Sequence, residues 1–264
     1  MITSRQNPKV KAARALRNRK ARTEAGLCLV EGLWHVGEAV EAGVVETLFY
    51  APEQLTSAFG YELIAKVEEQ SESVFSVSAE VLAALAEKAS PTGIVAVARQ
   101  RVRELKTLSP TDFPWLVALV TPQDPGNLGT ILRTIDAAGA SGLIVLDGGA
   151  DPWHPTAIRA SMGMCFSVPV ARASFPAFVD WAQDHAYTLY GTSAFGRDLI
   201  SDAMTFTKPC VLLMGSEREG LTDAQQAACT HMLRLPMDGR VRSLNLAVAT
   251  GVLLYQMKGK MGSE

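Results

Sequence analysis

The sequence predicts an α/β protein whose C-terminal half forms a mostly parallel sheet covered by helices, preceded by a smaller α/β domain. Short apolar runs typical of buried parallel strands alternate with helical patterns along the chain. Of the 264 residues, 48% are hydrophobic and 20% are charged, which is enough apolar surface for sizeable cores. A polar, Pro-containing stretch at 101–114 is the predicted linker between a domain at 1–100 and a domain at 115–264.

The elements of the first half follow from short apolar runs that are separated by Gly, Pro and Ser. After a basic N-terminal helix, we predict strands at 26–32, 44–52, 73–78 and 93–100, and helices at 35–43, 55–70 and 79–89.

The second half repeats the alternation more strongly. We predict strands at 115–120, 142–146, 166–170, 187–193, 210–215 and 231–236, and helices at 128–140, 154–163, 175–186, 222–230 and 243–257. The last helix is apolar on nearly every side, which predicts that it is buried.

Positive charge is concentrated at the N-terminus. Residues 1–22 contain eight Lys or Arg and no acid, whereas the remainder carries 17 basic against 27 acidic residues. On one helix, a basic stripe would lie beside the apolar Val10, Ala13 and Leu16. This pattern favours docking on a polyanion, and a solvated basic helix without a ligand is the alternative. The residues predicted to contact this polyanion are Lys9, Lys11, Arg14, Arg17 and Lys20.

The sequence gives no support for a membrane-spanning, secreted or metal-binding protein. No apolar run approaches the length of a membrane span, and the N-terminus lacks the apolar middle of a secretory signal, although its Arg-rich character superficially resembles a mitochondrial transit peptide. The four cysteines and four histidines are scattered without metal-ligand spacing. We therefore expect a cytoplasmic protein with reduced thiols, no metal and no membrane partner.

Three loops of the second half follow directly after predicted strands. The first loop is TPQDPGNLG at 121–129, the second loop is GSEREG at 215–220, and the third loop is LPMDGRVRSLN at 235–245. Ligands of an open parallel sheet bind outside the carboxyl ends of the strands, so these loops are expected to share one crevice. Neither a phosphate-binding loop nor a dinucleotide fingerprint is present.

Each loop carries polar side chains that could bind a ligand, but each of these side chains also has a simpler structural explanation. Asn127 and Ser243 precede helices and could be N-caps, and Asn245 is similarly ambiguous. The second loop is either a ligand-binding turn carrying Glu217 or a plain glycine-rich turn. Arg133 projects off the apolar face of its helix, so it is either a solvated arginine or a residue that faces the crevice.

Together the loops resemble the three motifs of the SpoU (TrmH-like) family of RNA ribose 2′-O-methyltransferases, within the SPOUT superfamily. The resemblance covers about residues 115–257, with RASMG at 159–163 between the loops, and the N-terminal ITSRQNPKVKAARAL and LCLVEG resemble the small ribosomal-protein-like RNA-binding domain of many relatives. The matching motif residues are Asn127, Gly129 and Arg133; Gly215, Glu217 and Gly220; and Pro236, Met237, Gly239 and Ser243 to Asn245.

The resemblance implies a sheet of five to six parallel strands with a deep C-terminal trefoil knot, S-adenosylmethionine as cofactor, and a homodimer in which the partner's Arg133 completes the crevice. The cofactor would be held at Met214, Gly215, Leu235, Pro236, Met237 and Leu244. Arg133, Asn127, Glu217, Ser243 and Asn245 would be the catalytic residues. Family proposals make the arginine a general base, but a guanidinium normally stays charged, which favours stabilisation of the developing alkoxide and a grip on the adjacent phosphate.

The predicted function is S-adenosylmethionine-dependent 2′-O-methylation of RNA, with ribosomal RNA as the favoured substrate. The alternatives are a tRNA 2′-O-methyltransferase and a non-catalytic RNA-binding protein with the same fold. An α/β enzyme acting on a small nucleotide leaves the basic N-terminus unexplained.

Overall fold

The computed structural model describes residues 1–70, 73–86, 92–193, 196, 198–199 and 204–261. Their contacts divide the chain into two compact units. Unit 1 comprises Met1–Arg101 and Asp151–Ser167, and unit 2 comprises Val102–Ala150 and Val168–Glu264. The predicted α/β class is confirmed in both units.

Unit 1 is built on a four-stranded mixed sheet in the order β1-β4-β2-β3. Its central pairs, β1 with β4 and β4 with β2, are antiparallel, while β2 and β3 are parallel. The strands are β1 (Leu27–Glu31), β2 (Val45–Tyr50), β3 (Val74–Ser76) and β4 (Ile94–Arg99), and the helices are α1 (Pro8–Ala15), α2 (Arg19–Ala25), α3 (Leu33–Glu41), α4 (Ala58–Gln70), α5 (Ala79–Leu85) and α7 (Pro155–Ala160).

The N-terminal basic region is two helices rather than the single helix that the sequence predicted. Asn18 caps α2 by accepting a hydrogen bond from the Lys20 backbone N–H at 2.8 Å, so a new helix starts there. The predicted apolar track, Val10, Ala13 and Leu16, is buried against the core of unit 1.

Arg22 is an exception among the N-terminal cations because its side chain is only 1% exposed. Its Nε and Nη2 reach Asp151 Oδ2 at 2.9 and 2.8 Å, and its Nη1 donates to the carbonyls of Leu16 and Arg17 at the α1–α2 junction. Asp151, 6% exposed, also accepts from the Trp153 backbone N–H. Both buried charges are therefore paired, and the pair joins the segment 151–167 to the helices of unit 1.

The segment 151–167 belongs by its contacts to unit 1, although in sequence it separates two strands of unit 2. Its helix α7 packs against β1, and the 3₁₀ turn Met164–Phe166 packs against α3. Gly163, with φ +88°, lies so close to α3 that a Cβ there would come within 2.7 Å of the Glu38 side chain.

Unit 2 contains an eight-stranded sheet in the order β10-β12-β9-β11-β6-β7-β8-β5, and all its neighbouring pairs are parallel. The expectation of five to six strands was too low because β5 and β10 are two-residue edge strands, too short to give an apolar run. The strands are β5 (Val102–Arg103), β6 (Trp115–Val120), β7 (Gly142–Leu146), β8 (Val170–Ala173), β9 (Thr188–Thr192), β10 (Asp198–Leu199), β11 (Cys210–Met214) and β12 (His231–Arg234).

Helices α6 (Pro125–Ala138), α8 (Phe175–Asp184), α9 (Asp223–Ala227) and α10 (Leu246–Lys258) complete unit 2. The apolar face of α6, formed by Leu128, Ile131, Leu132 and Ile135, is fully buried. Within the part of the chain that the structure describes, none of the helices is long and apolar enough to cross a bilayer.

Candidate functional site

A cavity of about 740 Å³ opens at the carboxyl ends of β9, β11 and β12 in unit 2. The second and third loops form most of its wall, and Asn127, from the helix that follows β6, completes it. The three loops therefore meet at one edge of the parallel sheet, where ligands of such sheets bind. Predicted site residues in its wall are Asn127, Met214, Gly215, Glu217, Leu235, Met237, Ser243, Leu244 and Asn245.

The second loop is a tight turn closed on itself. Ser216 and Gly220 exchange two backbone hydrogen bonds, with N···O distances of 3.1 and 3.0 Å, and Gly220 has φ +69°. A Cβ at Gly215 would lie 2.1 Å from the Gly220 carbonyl carbon, so only glycine fits there. The turn thereby fixes the backbone that carries Glu217.

Glu217 ties the second loop to the first. Its carboxylate accepts from the backbone N–H of Gln123 at 3.0 and 3.2 Å and from that of Asp124 at 3.4 Å. Such charge-assisted bonds to backbone donors hold two loops in one arrangement. A plain turn with a solvated glutamate would leave this carboxylate unbonded.

Asn127 is not the helix cap that its position suggested. Helix α6 begins at Pro125, and Asp124 is the N-cap, since its side chain accepts from the Asn127 N–H at 2.7 Å. Asp caps a helix as well as Asn, and Pro is favoured in the first turn. The amide side chain of Asn127 is therefore available for another partner.

That partner is Asn245 of the third loop, whose Nδ2 donates to Asn127 Oδ1 at 3.0 Å. Asn245 Oδ1 accepts from the backbone N–H of Ala247 at 2.9 Å and of Val248 at 3.3 Å, which makes Asn245, not Ser243, the N-cap of α10. Both residue types cap helices well, so sequence preference could not choose between them. Ser243 instead lies exposed in the cavity wall.

Two predicted residues lie outside the cavity wall of their own chain. Arg133 is exposed on α6, and Pro236 is exposed in the third loop. Neither belongs to the cavity lining.

The final helix, α10, presents three different faces. Ala247, Thr250 and Leu254 are buried, while Leu246, Ala249 and Leu253 contribute to the cavity wall. The third face is exposed although it is apolar: Val248 is 52%, Val252 40% and Tyr255 53% accessible. The expectation of a helix buried all round is wrong for this face.

Sequence reasoning missed several residues of the cavity wall. Thr192 ends β9 and Ser193 follows it, so the rule that placed the other loops at strand ends could have found them. Arg218 and Arg242 also line the cavity, inside loops whose other residues carried the motif. Gln226 on α9 gave no signal in the sequence.

The predicted RNA-contacting residues Lys9, Lys11, Arg14, Arg17 and Lys20 are all exposed in unit 1. Three of them have neighbours in the structure: Lys9 lies over the Phe75 ring, Arg17 donates to the Ala86 carbonyl, and Lys20 lies 3.8 Å from Glu24. Lys11 and Arg14 make no ion pair within the described part of the chain.

The cysteines are free thiols in the described structure. Burial raises the pKa of Cys165 and Cys210 to about 12 and that of Cys229 to about 11, and it raises the pKa of Cys28 well above its ordinary value. These groups are neutral thiols at physiological pH and are poor nucleophiles. Among the described residues, no three His, Cys, Asp or Glu side chains are grouped so that they could hold a metal ion.

Two family models match the chain. The SpoU rRNA Methylase family model matches residues 114–255, and a model described as the MRM3-like substrate binding domain matches residues 7–96.

Relatives and solved structures resemble the chain over nearly its whole length. It is 35% identical to the 23S rRNA (uridine(2479)-2′-O)-methyltransferase of Streptomyces viridochromogenes over 97% of this chain and 90% of that protein. It is 30% identical to the 23S rRNA (guanosine(2553)-2′-O)-methyltransferase RlmP of Bacillus subtilis (98% and 99%). The AdoMet-bound rRNA methyltransferase from Sinorhizobium meliloti superposes with a TM-score of 0.89 at 36% identity, covering 98% of this chain and 97% of that one.

Proposed function

Because the chain belongs to the SpoU rRNA methylase family, we propose that it transfers the methyl group of S-adenosylmethionine to a ribose 2′-oxygen of large-subunit ribosomal RNA. This membership confirms the family that the three loops predicted. The observation that carries the proposal is the interlocking of those loops, by Glu217 with Gln123 and by Asn245 with Asn127, around one cavity. The relatives named above supply the substrate class.

The cavity fits S-adenosylmethionine in size and chemistry. Its volume lies in the range of sites for ligands of that size, about 300–1,000 Å³. Apolar side chains of Met214, Leu235, Met237 and Leu244 line it beside the exposed backbone of Gly215. When bound, the cofactor supplies a methyl group on a positively charged sulfur, which is already activated for transfer.

The residues of the chain then have to align the acceptor oxygen and stabilise it as its proton leaves. Arg133 supplies positive charge to the developing alkoxide and to the neighbouring phosphate. Ser243 and Asn127, at the rim of the cavity, hydrogen-bond the ribose. Glu217 and Asn245 position this rim through the bonds described above.

A homodimer explains how the exposed Arg133 reaches a cavity. The apolar stripe of Val248, Val252 and Tyr255 on α10 is the kind of surface that a second copy of the chain covers. Helix α10 packs along α6, the helix that carries Arg133, so an interface on this stripe has Arg133 nearby. We propose that the partner's Arg133 completes each cavity, in a C-terminal region that is knotted as in the family.

Mixing two inactive variants tests this arrangement. Arg133→Ala leaves the cavity intact, and Ser243→Ala combined with Asn245→Ala damages the cavity but leaves the arginine. In a mixed dimer, one site combines an intact cavity with an intact arginine, so random mixing restores about a quarter of the wild-type rate. If mixtures at several ratios stay inactive although the subunits exchange, each chain uses its own arginine and the proposal is wrong.

In unit 1, the exposed cations of α1 and α2 are proposed to dock the RNA, since phosphate contacts supply sequence-independent affinity. The match of residues 7–96 to a substrate-binding domain model supports this role. The cytoplasm, where ribosomal RNA is assembled in the bacteria of the named relatives, is the proposed location.

The function is tested in two parallel reactions of the purified protein with labelled S-adenosylmethionine. One reaction contains protein-free ribosomal RNA and the other contains transfer RNA. Label in ribosomal RNA alone supports the proposal. Label in transfer RNA alone would show that transfer RNA, not ribosomal RNA, is the substrate class. Binding of the RNA without binding of the cofactor, measured by calorimetry, would favour a non-catalytic RNA-binding protein.

A further inference from the structure

Two arginines lie in the wall of the cavity and have no role in the proposed reaction. Arg218 lies at the tip of the second loop, and Arg242 directly precedes Ser243 in the third loop. Both side chains are exposed to solvent. They therefore lie where the cavity opens to a ligand rather than in the interior of the unit.

Neither guanidinium is neutralised by a neighbour. Among the described residues, Arg218 and Arg242 have no carboxylate oxygen within 4.0 Å and no side-chain hydrogen bond. Two carboxylates adjoin Arg218 in sequence: that of Glu217 is occupied by the backbone of Gln123 and Asp124, and that of Glu219 forms no ion pair with either arginine among the described residues. Two positive charges at this mouth are thus available to an anion.

The backbones that carry the two arginines are fixed within a few residues. Arg218 is enclosed by the paired Ser216 and Gly220, and Arg242 lies three residues before Asn245, which caps α10 and bonds Asn127. A charged group on a fixed backbone loses less conformational freedom when it binds, which favours a specific contact over a diffuse one.

The charge of the two candidate ligands decides between them. S-adenosylmethionine carries a sulfonium and an ammonium against a single carboxylate, so its net charge is positive and two arginines do not favour it. RNA presents one phosphate per nucleotide, and a planar guanidinium binds phosphate oxygens in a bidentate way. The cavity mouth thus suits the RNA backbone.

We propose that Arg218 and Arg242 bind the phosphates that flank the acceptor ribose and so hold its 2′-oxygen at the cavity. The inference rests on the proposed function. It extends that function because the methyltransferase unit itself would then determine which ribose of the RNA lies at the reaction centre. The basic helices of unit 1 then contribute affinity.

The experiment compares Arg218→Ala, Arg242→Ala and the double variant with wild type, using protein-free large-subunit ribosomal RNA as the probe. The dissociation constant is measured over a range of salt concentrations, and KM and kcat are measured by methyl transfer. Each single variant is expected to raise the RNA KM roughly tenfold, because a charge-assisted phosphate contact is lost. Each is also expected to reduce the slope of log K against log salt by about 0.7–0.9, the value for one phosphate. Calorimetry is expected to show unchanged cofactor affinity.

Two further variants serve as controls. Arg240→Ala removes an equally exposed arginine of the third loop that is not part of the cavity wall, and it is expected to leave KM nearly unchanged. Arg242→Lys keeps the charge and should retain the salt slope while losing part of the affinity, because a lysine cannot bind in a bidentate way.

An unchanged RNA KM and salt slope in the double variant, in a preparation whose wild type transfers methyl groups, overturns the inference and leaves the proposed function standing. Weakened cofactor binding with unchanged RNA binding also overturns it, since the arginines would then hold the cofactor carboxylate. A wild type that transfers no methyl group to any RNA refutes the proposed function instead.

Discussion

The polar groups of the two units are organised in opposite ways. In unit 2, the carboxylate and amides of the cavity rim are bonded to one another and to backbone across three loops. In unit 1, the predicted RNA-contacting cations are exposed on α1, on α2 and at the junction between them. The difference teaches that a reaction centre needs groups held in one geometry, whereas attraction of a polyanion needs only charge on one surface.

The buried pair of Arg22 and Asp151 is the exception in unit 1, and breaking it is expected to have the largest effect. Asp151→Ala leaves a buried guanidinium without its counterion and should lower the free energy of unfolding by about 3–5 kcal/mol. Urea denaturation measures this loss. The exposed pair of Lys20 and Glu24 is the matched control, because Glu24→Ala should cost less than about 1 kcal/mol. A small loss for Asp151→Ala would contradict the view that Arg22 is structural.

Removing the arginine of α6 tests whether unit 2 separates catalysis from cofactor binding. Arg133→Ala should lower the methyl-transfer rate by a factor of about 10²–10³, the usual cost of losing one preorganised charge or donor at a reaction centre. The Kd for S-adenosylmethionine should change little, because Arg133 is assigned to the ribose oxygen and the neighbouring phosphate and not to the cofactor. Calorimetry beside a labelled-methyl assay measures both, and equal loss of both properties would remove the assigned role.

Asn245 offers a way to separate positioning from stability. Asn245→Asp keeps an oxygen that can cap α10 but removes the N–H donor to Asn127, so kcat should fall while the melting temperature is retained. Asn245→Ala loses both functions and should also cost about 1 kcal/mol of stability. If Asn245→Asp has wild-type kcat, the bond between the first and third loops does not contribute to activity.

Neutralising two exposed cations of unit 1 should have the smallest effect on the reaction centre. Arg14→Ala with Arg17→Ala should weaken RNA binding and reduce its salt dependence, with kcat at saturating RNA nearly unchanged. Titrations at several salt concentrations provide the comparison. An unchanged salt slope would leave α1 as ordinary solvated surface.

The sequence was sufficient to predict the meeting of the three loops because the ends of parallel strands share one edge of the sheet. It could not identify the caps, because Asp124 and Asn127, like Ser243 and Asn245, have similar local preferences. It also missed the break at Asn18 and the burial of Arg22, whose partner Asp151 is 129 residues away. The same holds for the packing of 151–167 in unit 1, which depends on tertiary contacts rather than on local pattern.

The central claim is methyl transfer to a ribose oxygen, and the position of the label tests it most directly. RNA methylated by the purified protein with labelled S-adenosylmethionine is hydrolysed in alkali, which cleaves only next to a free 2′-hydroxyl. We expect the label in an alkali-resistant dinucleotide, and we expect it to disappear with Arg133→Ala. Recovery of the label in mononucleotides would place the methyl group on a base and contradict the account.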